Sequence, residues 1–287
     1  MATLSNEDAA SARYFVPSPS RWPIRSAIAL LLFVAGAAVW LNRGGSGPYL
    51  LGIGLLLLAL VLVGWFTDVS GEGRLYNGQV DRSIHWGMAW FILSEVMVFA
   101  TLFAALFYLR EISLPDFAAG GRSADLWPGF TGGWPATGPG LPNDVKAMPA
   151  KGVAAINTIM LLCSGAAITL AHGAAHRGRQ AQLVAGLAVT LALGAAFLYN
   201  QAGEYRHAIT EMNLTLSQGA YGSTFYFLTG LHGVHVTIGA TMVAVMLVRA
   251  LMRRITPRET LGFDMVAWYW HFVGIVWLLL YVVVYVL

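Results

Sequence analysis

Charge is scarce in this chain. Of its 287 residues 11% are Asp, Glu, Lys or Arg and 57% are hydrophobic, whereas a soluble globular protein carries about 25% charged residues. That shortage excludes a water-soluble globule and indicates an integral membrane protein. Cysteine occurs once, at Cys163. A single cysteine excludes an intrachain disulfide and a cysteine-based metal cluster, and its place inside an apolar run reads as a buried free thiol acting as a small hydrophobe. No P-loop, no Gly-x-Ser-x-Gly and no Cys-x-x-Cys-His is present. Nucleotide hydrolysis, serine chemistry and c-type haem attachment therefore have no support. The opening MATLSNEDAASARYFVPSPSRWP lacks the charged-then-apolar order of a cleavable signal, so the first apolar run is expected to insert and stay. No repeat suggests the paired halves of a secondary transporter.

Long apolar runs are abundant. Seven span a bilayer by length, at 24–41, 49–66, 84–109, 153–171, 181–199, 225–248 and 263–287. None alternates with period two and all exceed strand length, so the fold class is an all-α membrane protein with seven transmembrane helices. The expected organisation is a tail at 1–23, a two-helix hairpin at 24–66, an inner linker at 67–83 and a five-helix bundle at 84–287 with an outer loop at 110–151. The link at 42–48 holds Gly44, Gly45, Gly47 and Pro48 and forces the first pair antiparallel. Small residues at Ala35–Ala38 and at Gly52 and Gly54 let those two backbones approach closely. The loop at 110–151 holds six prolines and two tryptophans, Trp127 and Trp134, which favour packing on a partner or on the bundle's rim.

The net charge of +3 reports orientation rather than nucleic acid, because the basic residues lie between the apolar runs. With the N-terminus inside, 11 of the 17 Lys and Arg residues fall on inner segments and 6 on outer ones. The positive-inside rule then places the N-terminus in the cytoplasm and the C-terminus outside, in the periplasm for a bacterial inner membrane. Trp268, Tyr269, Trp270, Tyr281 and Tyr285 suit interfacial anchoring of the last helix.

Glu95 is the single formal charge in the third run and lies ~16 Å in from its start, near the midplane. An ionised carboxylate there costs at least ~2.5 kcal/mol. It must be protonated, paired or turned to a polar cavity, and it is the candidate functional carboxylate. A second group of buried polar residues comprises Glu204, His232, His235 and His271. His232 and His235 stand three apart and share a helix face. Depths counted from the run ends put His232 and His271 several ångströms apart, against a metal site, since ligands lie within ~2.1 Å of a zinc ion. Histidines hydrogen-bonded across helices, to Glu95 or Glu204, fit better. His172 and His176 are four apart beside Arg177 and Arg179 and read as a basic interfacial edge; a zinc site there needs further ligands that the sequence does not place. Arg249, Arg253 and Arg254 close the sixth helix, complementing its C-terminal dipole and offering a phosphate contact to a lipid head group.

Several stretches together carry a resemblance: HWGMAWFILSEVMVF, INTIMLLCSGAAITLAH, QAGEYRHA, YGSTFYFLTGLHGVHVTIGATM and GFDMVAWYWHFVGIVWLLLYV. From about Tyr14 to the C-terminus the chain resembles the cytochrome c oxidase subunit III family, least well in the loop 110–151 beyond its GGWPATG. The resemblance implies two N-terminal helices splayed from a group of five, with phospholipid in the cleft between. It implies a subunit without haem, copper or other metal, packed on subunit I of a proton-pumping terminal oxidase, cytochrome-c oxidase. Haems and copper are then expected in subunits I and II, cytochrome c docks on the complex, and small subunits are further partners. The implied role is support of proton uptake and of stability during turnover in aerobic respiratory electron transport. By the same resemblance Glu95 matches the intramembrane glutamate, and Trp65, Phe66, Phe91 and Arg249 match positions lining or closing the lipid cleft. The two extra N-terminal helices favour the cytochrome c enzyme over a quinol oxidase; a carboxylate-dependent transporter is the remaining alternative. Two departures stand out: Gly274 takes the place of an aspartate, and Gly173 the place of a second histidine after His172.

Overall fold

The computed structural model describes residues 19–72, 78–118, 120–141, 145–257 and 259–287, with side chains in the first stretch described as far as Val69. Arg13, Arg74, Pro142 and Arg258, counted above in the charge balance and the loop, lie outside the described residues. Among the described residues the regular structure is helical, and no strand occurs. Seven helices are long and apolar enough to cross a membrane. They are α1 (Trp22–Leu41), α2 (Gly47–Glu72), α3 (Gly78–Phe107), α4 (Val153–His176), α5 (Gln180–Thr210), α6 (Gly219–Leu251) and α7 (Leu261–Leu280). α3 continues through a π-helical stretch Tyr108–Ser113 and a last turn Leu114–Phe117, and α7 through a π-helical stretch Tyr281–Val286.

The helices outrun the apolar runs wherever a polar residue finds a partner. α2 passes Phe66 because Asp68 accepts a hydrogen bond from the Trp22 indole at 2.8 Å. α3 passes Leu109 because Arg110 donates to the carbonyl of Leu287 at 2.8 Å. α5 runs eleven residues beyond Tyr199, to Thr210, as Gln201 and Glu204 are bonded inside the bundle.

The chain divides into two units, residues 1–86 and 87–287. In the first, α1 and α2 meet through glycine. A Cβ on Gly36 would run into the backbone of Leu50 and Leu51, and one on Gly54 into that of Leu32 and Phe33. Gly52, by contrast, faces open space. In the second unit α7 is the most enclosed helix, with Trp270, Val273 and Trp277 at most 2% exposed. The Trp270 indole donates to Ser164 of α4 at 3.0 Å. Its ring fills the space left by Gly194 of α5 and Gly239 of α6, so one side chain joins four helices. The long loop packs on its own bundle: Trp134 lies edge-on to Tyr221 at 5.3 Å, and Met148 N–H donates to the Tyr221 hydroxyl at 2.8 Å. Gly219 has φ +66° and a Cβ there would collide with the carbonyl of Thr137, so the start of α6 requires glycine. Trp127 remains 41% exposed.

One expectation is corrected. Cys163 is exposed, one residue from the buried Ser164, and therefore stands on the outer face of α4. An apolar run marks a spanning helix but not which of its faces points inward.

Candidate functional site

α3 and α6 carry the acid and the base of the central pair. His235 Nε2 lies 2.9 Å from Glu95 Oε2, with side-chain exposures of 10% and 21%. His235 Nδ1 is 2.8 Å from the carbonyl of Leu231, one turn back on α6. A carbonyl only accepts, so Nδ1 carries a proton and Nε2 is the atom offered to Glu95. Two arrangements satisfy that contact: a neutral carboxyl donating to a neutral imidazole, or a carboxylate accepting from an imidazolium. Both hold one proton in the gap and both have zero net charge. The pair thereby meets the requirement set by Glu95 alone, since neither form leaves a bare charge in hydrocarbon.

Aromatic rings enclose the imidazole. Phe99 of α3 meets it edge-on at 5.2 Å, Tyr269 of α7 stacks at 6.4 Å, and Phe272 lies at 6.4 Å. Phe91, one helical turn before Glu95, stacks on Tyr269 at 6.1 Å and is 46% exposed. Tyr269, read in the sequence as an interfacial anchor, is instead buried at 2% exposed, and Phe272 does not stand out in the sequence; both face His235 only once α7 is docked.

The four residues grouped above as buried and polar make their contacts in separate places. Glu204 is 6% exposed and accepts at Oε2 from Gln201 Nε2 at 2.9 Å and from the Tyr285 hydroxyl at 2.8 Å. Those donors are an amide one turn back on α5 and a phenol supplied by the π-helical end of α7. His232, 1% exposed, donates from Nε2 to the carbonyl of Val273 at 3.1 Å, which leaves its Nδ1 as a buried acceptor with no hydrogen-bond partner. The rings of Phe197 and Trp277 flank it at 5.7 and 5.3 Å. His271 is half-buried and meets Thr169 Oγ1 of α4 at 3.2 Å. Only His235 reaches an acid among these four.

The residues matched to a lipid cleft fall in both units. Trp65 and Phe66, on α2, stack at 6.0 Å and are 42% and 61% exposed. Phe91 and Arg249 belong to the second unit. Arg249 is half-buried in the last turn of α6, and Asp264, in the first turn of α7, meets His172 at 2.7 Å.

Seven apolar helices with a paired acid and base at mid-span define a polytopic α-helical membrane protein built around buried polar contacts. The chain belongs to the cytochrome c oxidase subunit III family, whose model matches residues 12–287. It is similar to cytochrome c oxidase subunit 3 of Lemur catta, 36% identical over 275 residues, covering 95% of this chain and 91% of that one. The Squalus acanthias subunit is likewise 36% identical over 275 residues, covering 95% and 96%. That of Pan troglodytes is 37% identical over 276 residues, with the same coverage.

Proposed function

We propose that this chain is the accessory third subunit of a proton-pumping terminal oxidase, cytochrome-c oxidase, in a bacterial cytoplasmic membrane. Its N-terminus faces the cytoplasm and its C-terminus the periplasm. It carries no redox centre; haems and copper belong to subunits I and II, and it packs directly on subunit I. Phospholipid is the expected ligand, and Trp65, Phe66, Phe91 and Arg249 are the candidate residues for binding it. Glu95 and His235 form the functional element: their shared proton keeps the pair without net charge while leaving the acid able to change partners. The near-complete family match over residues 12–287 is the observation that carries this reading.

Purification through a tag on this chain tests it. The expected product is a complex with haem absorption bands that oxidises reduced cytochrome c. A chain that purifies alone, without haem, contradicts the reading and favours a transporter. A haem-bearing complex that is reduced by quinol and not by cytochrome c moves it to a quinol oxidase.

A further inference from the structure

The last turn of α4 and the first turn of α7 bring three ligand atoms together. His172 Nε2 and Asp264 Oδ1 are 2.7 Å apart, His172 Nε2 and His176 Nε2 3.4 Å, and His176 Nε2 and Asp264 Oδ1 3.7 Å. We propose that His172, His176 and Asp264 form a binding site for a divalent transition-metal ion, zinc foremost, that joins α4 to α7. Nothing in the proposed role of the chain assigns such a site.

The triangle fits the ion. Its edges of 2.7, 3.4 and 3.7 Å give a circumscribed radius of about 1.9 Å. An ion ~0.7 Å out of that plane then stands ~2.0–2.1 Å from all three atoms, the bond length and the offset of a tetrahedral zinc. Two histidines at i and i+4 on one helix face are a recurrent zinc pair. Two imidazoles with one carboxylate suit zinc, and exclude magnesium and calcium, which require oxygen ligands.

Access is open. His172 and His176 side chains are 34% and 46% exposed and Asp264 15%, so ions arrive from water and the fourth coordination position is left to solvent. The rings of His172 and His176 are nearly perpendicular, 83° apart with centroids at 4.7 Å, and Phe263 braces His172 at 5.5 Å. Arg177 reaches back over Gly173; its positive charge opposes the ion's while the Asp264 carboxylate favours it, which sets a moderate rather than an extreme affinity.

The test is a zinc titration of the detergent-purified protein with its accompanying subunits, stripped by chelator and then equilibrated in zinc buffers, with bound zinc read by elemental analysis. His176→Ala removes a half-exposed ligand, and Asp264→Asn keeps a hydrogen-bond partner for His172, so both leave the fold in place. Wild type is expected to hold one more zinc per chain than either variant. Both variants should weaken that site by more than the roughly 10–100-fold that loss of a merely supporting group costs. A titration unchanged from wild type in either variant overturns the site.

Discussion

Glu95 and Glu204 are both acids inside spanning helices, and they meet different chemistry. Glu204 receives hydrogen bonds from Gln201 and Tyr285, an amide and a phenol that act there as donors. Glu95 meets His235, whose ring nitrogen can act either as donor or as acceptor in that contact. One acid is fixed in place by its donors; the other shares a proton with a partner able to take it. Burial is deeper at Glu204, at 6% exposed, so depth in the protein does not decide which kind of partner an acid meets.

Substitutions sharpen that contrast in descending order of effect. His235→Ala leaves Glu95 without its base among the rings of Phe99, Tyr269 and Phe272, and breaking a buried pair from one side costs about 3–5 kcal/mol. A marked fall in the thermal inactivation temperature of the purified complex is expected, and an unchanged value breaks the pairing argument. Tyr285→Phe removes one donor to Glu204 and should cost about 1–3 kcal/mol while turnover lifetime stays at the wild-type value; shortened turnover would give Glu204 the role assigned to Glu95. Glu95→Gln keeps a neutral hydrogen bond to His235 and should cost no more than about 1 kcal/mol. Its expected effect is on retained phospholipid or on the rate of inactivation during turnover, and wild-type behaviour in both would make Glu95 a structural acid. Cys163→Ser, on the outer face of α4, should stay within about 0.5 kcal/mol of wild type, and a larger loss would return the thiol to the core.

Much of this was legible in the sequence, and what was not has a physical reason. Seven spans follow from apolar run length, and the suspicion attached to Glu95 follows from the cost of a charge in hydrocarbon. Sequence reasoning offered the histidines Glu95 or Glu204 as partners; docking α6 on α3 selects Glu95 for His235 and leaves Glu204 to Tyr285. That choice depends on helix rotation, which composition does not encode. The π-helical end of α7 also re-aims Tyr285, which sequence had read as an interfacial anchor. Asp264 was overlooked as a partner of His172 and His176 although a signal existed. In a seven-span chain the end of the fourth helix and the start of the seventh emerge on the same side, so an acid in the first turn of α7 is a natural candidate ligand for a His-x-x-x-His at the end of α4.

The most direct test of the central pairing is a double-mutant cycle of Glu95→Ala, His235→Ala and both together, read as stability of the purified complex. A single shared proton predicts a coupling of about 1.5 kcal/mol or more, above the ~0.6 kcal/mol that hydrogen-bonded pairs between membrane helices average. Effects that add to within about 0.5 kcal/mol would contradict it.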